Sequence, residues 1–328
     1  MKKLWWAGFF VFMAVLLSVS MVSAATLTVN KPGAGGIPPD YATIQAAIAA
    51  ANASGGDTII VYPGDYNPPG GGYVVDRSVI IKGKNGAEKT RIICQNADDN
   101  GFIITANNVT ISGFTIKMYG AVANGNICGI LVGGSAYFTP VAAALTGVVI
   151  TKCVIEYFDT GIWILKANGT NINNNTTRYN AGYGIFLYSR DFLPLNPGVP
   201  DYDIKNTQIS HNQIYENQYY GVGIMDADGY GASFDGTKIT ANTFYRNGSL
   251  DYTFPCNWNS QAIYIGNAGA VGTVEVTNNK FLKFTDITYW SWDYIENDAG
   301  AGLTLVQSGN KAFNKLMWKL TGAATTFD

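Results

Sequence analysis

Short apolar words separated by polar residues return along most of the chain. Residues 109–116 read V-T-I-S-G-F-T-I, and the same shape recurs at 148–155, 171–177, 208–214, 238–244 and 275–281. Aligning Ile111, Ile150, Ile172, Ile209, Ile239 and Val276 puts an apolar residue five positions later in every copy except at Thr177. A second word, Gly-Ile-x-apolar in outline, begins at Gly129, Gly161, Gly184, Gly223, Ala262 and Gly302. Alternation with a period of two predicts strands. Recurrence at roughly 20–40 residues, with Asn and Gly between the runs, predicts a stack of equivalent units.

Around this stack the pattern places few other elements. Residues 26–30 read as a strand, and strand words follow at 57–64, 73–83, 90–94 and 102–105. The helical spacing of Ile44, Ala47, Ile48 and Ala51 predicts one helix over about 43–53, capped by Thr43 and ended by Gly55. A helix with a single apolar face suits the exposed end of a stack, where it blocks edge-to-edge addition of another chain. Between residues 54 and 300 no amphipathic helix of ten residues appears, which argues against folds with helical crossovers. The expected fold is therefore all-β, a single-stranded right-handed parallel β-helix with an N-terminal capping α-helix. Its tight corners need unusual backbone angles, and Asn175, Asn212, Asn242 and Asn279 are placed to form an internal amide ladder there. Cys153 and Phe114 fill the same slot in earlier copies. Residues 285–298 read as a lateral loop, and 309–320 as an irregular or helical C-terminal cap.

Residues 1–24 stand apart. Lys2 and Lys3 precede an apolar run that ends in small residues, the pattern of a cleaved signal peptide, leaving residues 25–328 as one exported β-helix domain. No later stretch has the length and apolarity of a membrane span, so the mature chain is not expected to insert. Of 21 basic residues two lie in the leader, leaving 19 against 23 acidic ones, a net charge of −4. That balance excludes a broadly basic nucleic-acid surface. Export permits disulfides among Cys94, Cys128, Cys153 and Cys256, whose spacing matches no zinc signature. Six N-x-S/T sequons, at Asn52, Asn108, Asn168, Asn174, Asn175 and Asn247, matter only in a host that glycosylates exported chains.

The words Y-A-T-I-Q-A-A-I-A-A at 41–50 and G-D-T-I-I-V-Y-P-G-D-Y at 56–66 resemble the opening of proteins with the pectate-lyase-like right-handed parallel β-helix. The later I-S-x-N-x-I and G-I-x-L words are similar to repeats of CASH-type domains, the carbohydrate-binding and sugar-hydrolase class. The resemblance spans about residues 26–310 and is specific for fold. It carries over no catalytic residue: the paired Asp98-Asp99 lies early, no G-H-G is present, and the pectin methylesterase and common pectate lyase motifs are missing.

The remaining candidates come from alternation. If Ile130, Ile162, Ile185, Ile224, Ile263 and Leu303 face inward, then Leu131, Trp163, Phe186, Met225, Tyr264 and Thr304 form an outward ribbon, with rungs about 4.8 Å apart. Trp163, Phe186, Tyr188 and Tyr264 are the substrate-binding candidates, since aromatic rings suit the apolar faces of sugars; a loop folded over the ribbon is the plainer reading. Lys166, Arg190 and Asp226 lie just beyond it and are the catalytic candidates. An Asp beside a cation in a cleft is the minimum for polysaccharide β-elimination, with Ca²⁺ as the one cofactor such a lyase would call for. A salt bridge or turn cap is the structural alternative. Asp226 is assigned to an inward slot alongside Ile164, Leu187 and Ile265, where a carboxylate needs a partner. His211, the sole histidine, falls on a turn. Two functions follow: an exported protein that binds an extracellular or cell-wall polysaccharide, or a lyase or related enzyme acting on a uronic-acid-containing glycan.

Overall fold

A computed structural model describes residues 23–31, 39–119, 127–135, 139–189, 203–227, 229, 231–247, 262–266, 269–282, 295–298, 300–312 and 325–327. Most of the expected signal peptide, and the terminal-cap residues 313–320, lie outside the described residues. Three parallel sheets run the length of the described chain, with eleven, nine and eight strands, and a two-stranded pair joins Leu145–Thr146 to Ala167–Asn168. Successive strands visit the first, second and third sheet in turn, as in Val149–Thr151, Val154–Glu156 and Thr160–Ile164, and each then pairs with its counterpart one coil on. This is the right-handed parallel β-helix, the hand that parallel crossovers favour.

The aligned isoleucines are neighbours. Ile111 pairs with Ile150, then Ile172, Ile209, Ile239 and Val276 in unbroken register on the first sheet. Ile116, Ile155, Thr177, Ile214, Phe244 and Phe281 do the same on the second. All are buried, each large apolar side chain contributing about 1.5–3 kcal/mol. The helix α1, Ile44–Ala50, begins at Thr43, whose hydroxyl accepts the Ala46 N–H at 3.1 Å. It buries Ile44, Ala47 and Ile48 against the first coil. Asp57 fastens this end: its carboxylate accepts the N–H groups of Asn52 at 2.7 Å and Ala25 at 2.8 Å, which hold it below the usual carboxylate range.

The corner between the first and second sheets carries the expected ladder. The amides of Asn175, Asn212, Asn242 and Asn279 each donate to the next Asn at 3.0–3.1 Å, ending on Asn310. Each also donates to a backbone carbonyl one coil back, and each accepts a backbone N–H from the preceding coil. The left-handed residue is the one just before the ladder position: Gly113, Lys152, Asn174, His211, Ala241 and Asn278, all at positive φ. A second ladder, not anticipated, joins Asn180 to Asn217 at 2.8 Å and Asn217 to Asn247 at 2.9 Å at the next corner. Ladder membership buries the sequon residues Asn175 and Asn247.

Several expectations need correction. Cys94, Cys128 and Cys153 are buried free thiols on different coils and are not paired with one another; Cys256 lies outside the described residues. Ile295–Asn297 is a strand of the third sheet rather than loop, pairing with Ile263–Gly266. Leu303 and Thr304 belong to the first sheet, opposite Gly272 and Thr273, and leave the outward ribbon.

Two substitutions test this core. The Thr177 hydroxyl is buried in an apolar column without a hydrogen-bond partner, so Thr177→Val should raise unfolding stability by about 1 kcal/mol. Asn212→Ala strands donors and acceptors on the coils before and after it and should cost about 3 kcal/mol or more in denaturant unfolding. Equal stability of the Asn212 variant would contradict the ladder.

Candidate functional site

The third sheet fixes which side chains gather on its outer face. Its register runs Ile130, Ile162, Ile185, Val222, Ile263 and Ile295 on the inside. The expected alignment of Ile224 with Ile185 is therefore wrong by two residues; Ile224 stands in the next inward column, with Ile164, Leu187 and Ile265. The cause is backbone approach at the strand entrance. There Gly221, not Gly223, is the required glycine, because a Cβ on Gly221 would sit 2.6 Å from the Ala262 carbonyl oxygen.

The true outward column is Leu131, Trp163, Phe186, Gly223 and Tyr264, and a second column holds Tyr188, Met225 and Gly266. Gly223 leaves a gap into which the Tyr183 ring lies, parallel to Phe186 with centroids 3.8 Å apart. Trp163 and Phe186 pack at 5.3 Å and are 7% and 4% exposed, so they form a floor rather than an open platform. Tyr188 meets Trp163 edge-on at 5.6 Å and Phe186 at 4.9 Å. Tyr220 stacks on Tyr264 at 4.6 Å and lies 5.4 Å from Tyr183. Tyr183, Tyr188, Tyr220 and Tyr264 are half-buried, which leaves ring area at the surface.

Sequence reasoning missed Tyr183, Tyr220 and Asp159. Tyr183 precedes Gly184 and Tyr220 precedes Gly221, so alignment on Tyr-Gly would have found them as neighbours across the sheet. Asp159 lies at the edge of this face, its Oδ2 3.4 Å from the donating Thr160 hydroxyl. Burial raises the Asp159 carboxyl above its usual range, with the Thr160 bond opposing. Burial likewise raises the Tyr183 phenol, reinforced by Tyr220, Tyr264 and Asp159, so this hydroxyl stays a neutral donor; it donates to the Met225 sulfur at 3.6 Å.

Lys166 and Asp226, the two charged candidates among the described residues, do not meet. Lys166 is buried and its ammonium donates to the Ala142 carbonyl at 3.0 Å. Asp226 is aligned with Ser189, beyond the inward column assigned to it, and its carboxylate accepts the N–H groups of Gly231 at 2.9 Å and Ala232 at 3.1 Å. It caps a turn. Among the described residues no ion pair joins Lys166 to Asp226, and Arg190 lies outside them. No group of three or more His, Cys, Asp or Glu able to hold a metal occurs among the described residues. His211 sits on an exposed turn at φ 57°.

Residues 50–283 match the family model of NosD, described as periplasmic copper-binding protein. Among solved structures the chain is similar to pectate lyase Pel9A, at 15% identity and a TM-score of 0.59, covering 93% of this chain and 78% of that one. It is similar to pectin methylesterase from carrot at 14% identity and a TM-score of 0.59, covering 94% and 89%. A pectin methylesterase in complex with a hexasaccharide matches at 13% identity and a TM-score of 0.52, over 91% and 94%. At such identities the likeness is one of fold.

Asp159 supplies a test of the face's electrostatics. A carboxyl that holds its proton more tightly when folded adds stability at low pH and loses it as pH rises through the folded pKa. Wild type should therefore lose stability relative to Asp159→Asn as pH climbs from about 4 towards neutrality, in melting curves taken across that range. Parallel pH profiles would show that the carboxyl is not raised.

Proposed function

The chain belongs to the NosD family, and from that premise we propose that it is a periplasmic β-helix protein that binds a polysaccharide on the tyrosine-lined face of its third sheet. The family's periplasmic location agrees with the leader expected at the N-terminus. The observation that carries the reading is the half-buried group of Tyr183, Tyr188, Tyr220 and Tyr264 standing on the buried Trp163 and Phe186. Rings fixed by a floor lose little entropy on binding, and their hydroxyls bond to sugar hydroxyls while the ring area packs against C–H faces.

The lyase alternative finds less support. Lys166 and Asp226 are each held by backbone partners, and Asp226 serves a turn. Incubation with uronate polymers, with and without Ca²⁺, should yield no unsaturated product; product formation would restore the enzymatic reading.

Copper, which the family description brings in, does not suit the donors described. The whole sequence holds one histidine, four cysteines and six methionines. Cys94, Cys128 and Cys153 are buried on different coils, with burial holding their thiols protonated; that of Cys153 is raised to about 11. Copper ligation needs thiolate, thioether or neutral imidazole brought together, and Met118 and Met225 stand on different sheets. The protein dialysed after exposure to Cu(I) or Cu(II) should retain far less than one equivalent. Stoichiometric retention would refute this part of the reading.

Glycan binding is tested by affinity electrophoresis or calorimetry across a panel of polysaccharides. Tyr220→Ala with Tyr264→Ala should weaken the best ligand by at least about tenfold, or about 1.4 kcal/mol. Unchanged affinity would remove the tyrosine face from the reading.

A further inference from the structure

The corner between the second and third sheets carries a second set of aromatic groups that this face does not use. Four successive coils place a non-glycine residue there in the left-handed region: Tyr157 at φ 67°, Tyr179 at 56°, Glu216 at 54° and Arg246 at 46°. Each such residue costs about 1–3 kcal/mol. The corresponding positions of the first corner are mixed: Gly113, Asn174 and Asn278 tolerate this backbone, whereas Lys152, His211 and Ala241 bear the same cost. The second corner makes the same turn in these four coils with neither glycine nor asparagine.

Those side chains form one connected array. Tyr157 and Tyr179 stack at 5.4 Å, 21° from parallel, and Tyr179 meets Tyr215 edge-on at 6.1 Å. Glu156 is buried between Lys117 at 3.5 Å and Arg178 at 2.8 Å, and Arg178 donates to the Tyr215 hydroxyl at 2.9 Å. The Lys117 ammonium sits 4.7 Å from the Tyr157 ring centre, and the Arg178 guanidinium 5.4 Å from that of Tyr179. One coil further, Arg246 pairs with Glu216 at 3.2 Å. Even so, Tyr157 and Tyr179 remain 41% and 38% exposed. Tyr219, 50% exposed, lies just past the corner and packs edge-on against Tyr183 at 6.3 Å. Tyr219, three residues beyond Glu216, is thus the ring of this corner that touches the tyrosine face.

We propose that Tyr157, Tyr179 and Tyr219 form a second contact strip for the polysaccharide bound at that face, and that the ligand is a neutral glycan. The inference rests on the glycan-binding reading above. Two features select the occupant. Tyr219 of the strip packs on Tyr183 of the first face, and Tyr157 and Tyr179 lie on the adjoining corner, so one extended chain reaches both. Its cations share carboxylates, Lys117 and Arg178 around Glu156 and Arg246 with Glu216, which fits a chain of hydroxyls and C–H faces better than a polyanion.

The test compares wild type, Tyr157→Asn with Tyr179→Asn, and Tyr220→Ala with Tyr264→Ala. Asparagine suits left-handed corners, so the first variant keeps the turn, and its melting temperature reports whether the fold is intact. The probes are a neutral polymer (xylan or mixed-linkage glucan), its trisaccharide, polygalacturonate and alginate. The corner variant should bind the neutral polymer at least about fivefold more weakly and the trisaccharide as wild type does, since a short ligand fills the first face alone. Wild-type affinity should hold as salt rises from about 0.05 M to about 0.5 M. Unchanged polymer affinity in a folded corner variant would reduce the array to a structural strap. Preferential, salt-sensitive binding of a uronate polymer would overturn the neutral class. Both outcomes leave the first face standing, whereas a wild type that binds none of the four probes overturns the glycan reading and this inference with it.

Discussion

The structure depends on the satisfaction of buried amides from one coil to the next. A β-helix turns its backbone sharply at each corner, where peptide groups lose their partners in the sheets, and a buried donor without an acceptor costs about 1–3 kcal/mol. Asn175, Asn212, Asn242 and Asn279 meet that demand along one corner, and Asn180, Asn217 and Asn247 along the other. Because each amide serves backbone groups on neighbouring coils, the ladders fix register as well as turn shape. Isoleucine on isoleucine then follows, and so does every outward column, including the one that carries the tyrosines.

The first-sheet and second-sheet columns were legible because their signal is redundant: an apolar residue and a turn residue keep constant spacing through six copies, and a ladder asparagine follows in the last four. Asn180, Asn217 and Asn247 carry an equal signal, each five positions after a first-ladder asparagine. The third sheet was harder. Its mark is a glycine forced by close backbone approach, and Gly221 and Gly223 stand two apart in the same strand, so pattern alone could not say which one the neighbouring carbonyl excludes. That slip misplaced Met225, and assigning the last copy to Gly302 brought in Thr304. The burial of Trp163 and Phe186 was not readable either, since it depends on Tyr183 folding back over a missing side chain.

Family and site point in different chemical directions, and the residues explain why. The fold supplies evenly spaced outward columns whatever occupies them, and the ladders constrain only the corners. Surface chemistry can thus change while register holds. Here the described surface is rich in tyrosine and in matched charge pairs, while Cys94 and Cys153 are buried in the coil interior and Cys128 beneath the aromatic face. Membership in a family described by its copper therefore fixes the scaffold more firmly than it fixes the ligand.

The ladders also have a direction. Each side-chain amide donates one hydrogen bond to the asparagine of the following coil, and the backbone N–H of one coil is satisfied by an asparagine that comes later in sequence. A nascent chain thus always presents an unfinished leading tip that only the following turn can complete, while the trailing tip is sealed from the start by α1. Such a rod is a polar filament of limited length. The ladder itself runs only from Asn175 to Asn310, and the coils before it place Phe114 and Cys153 in the same slot.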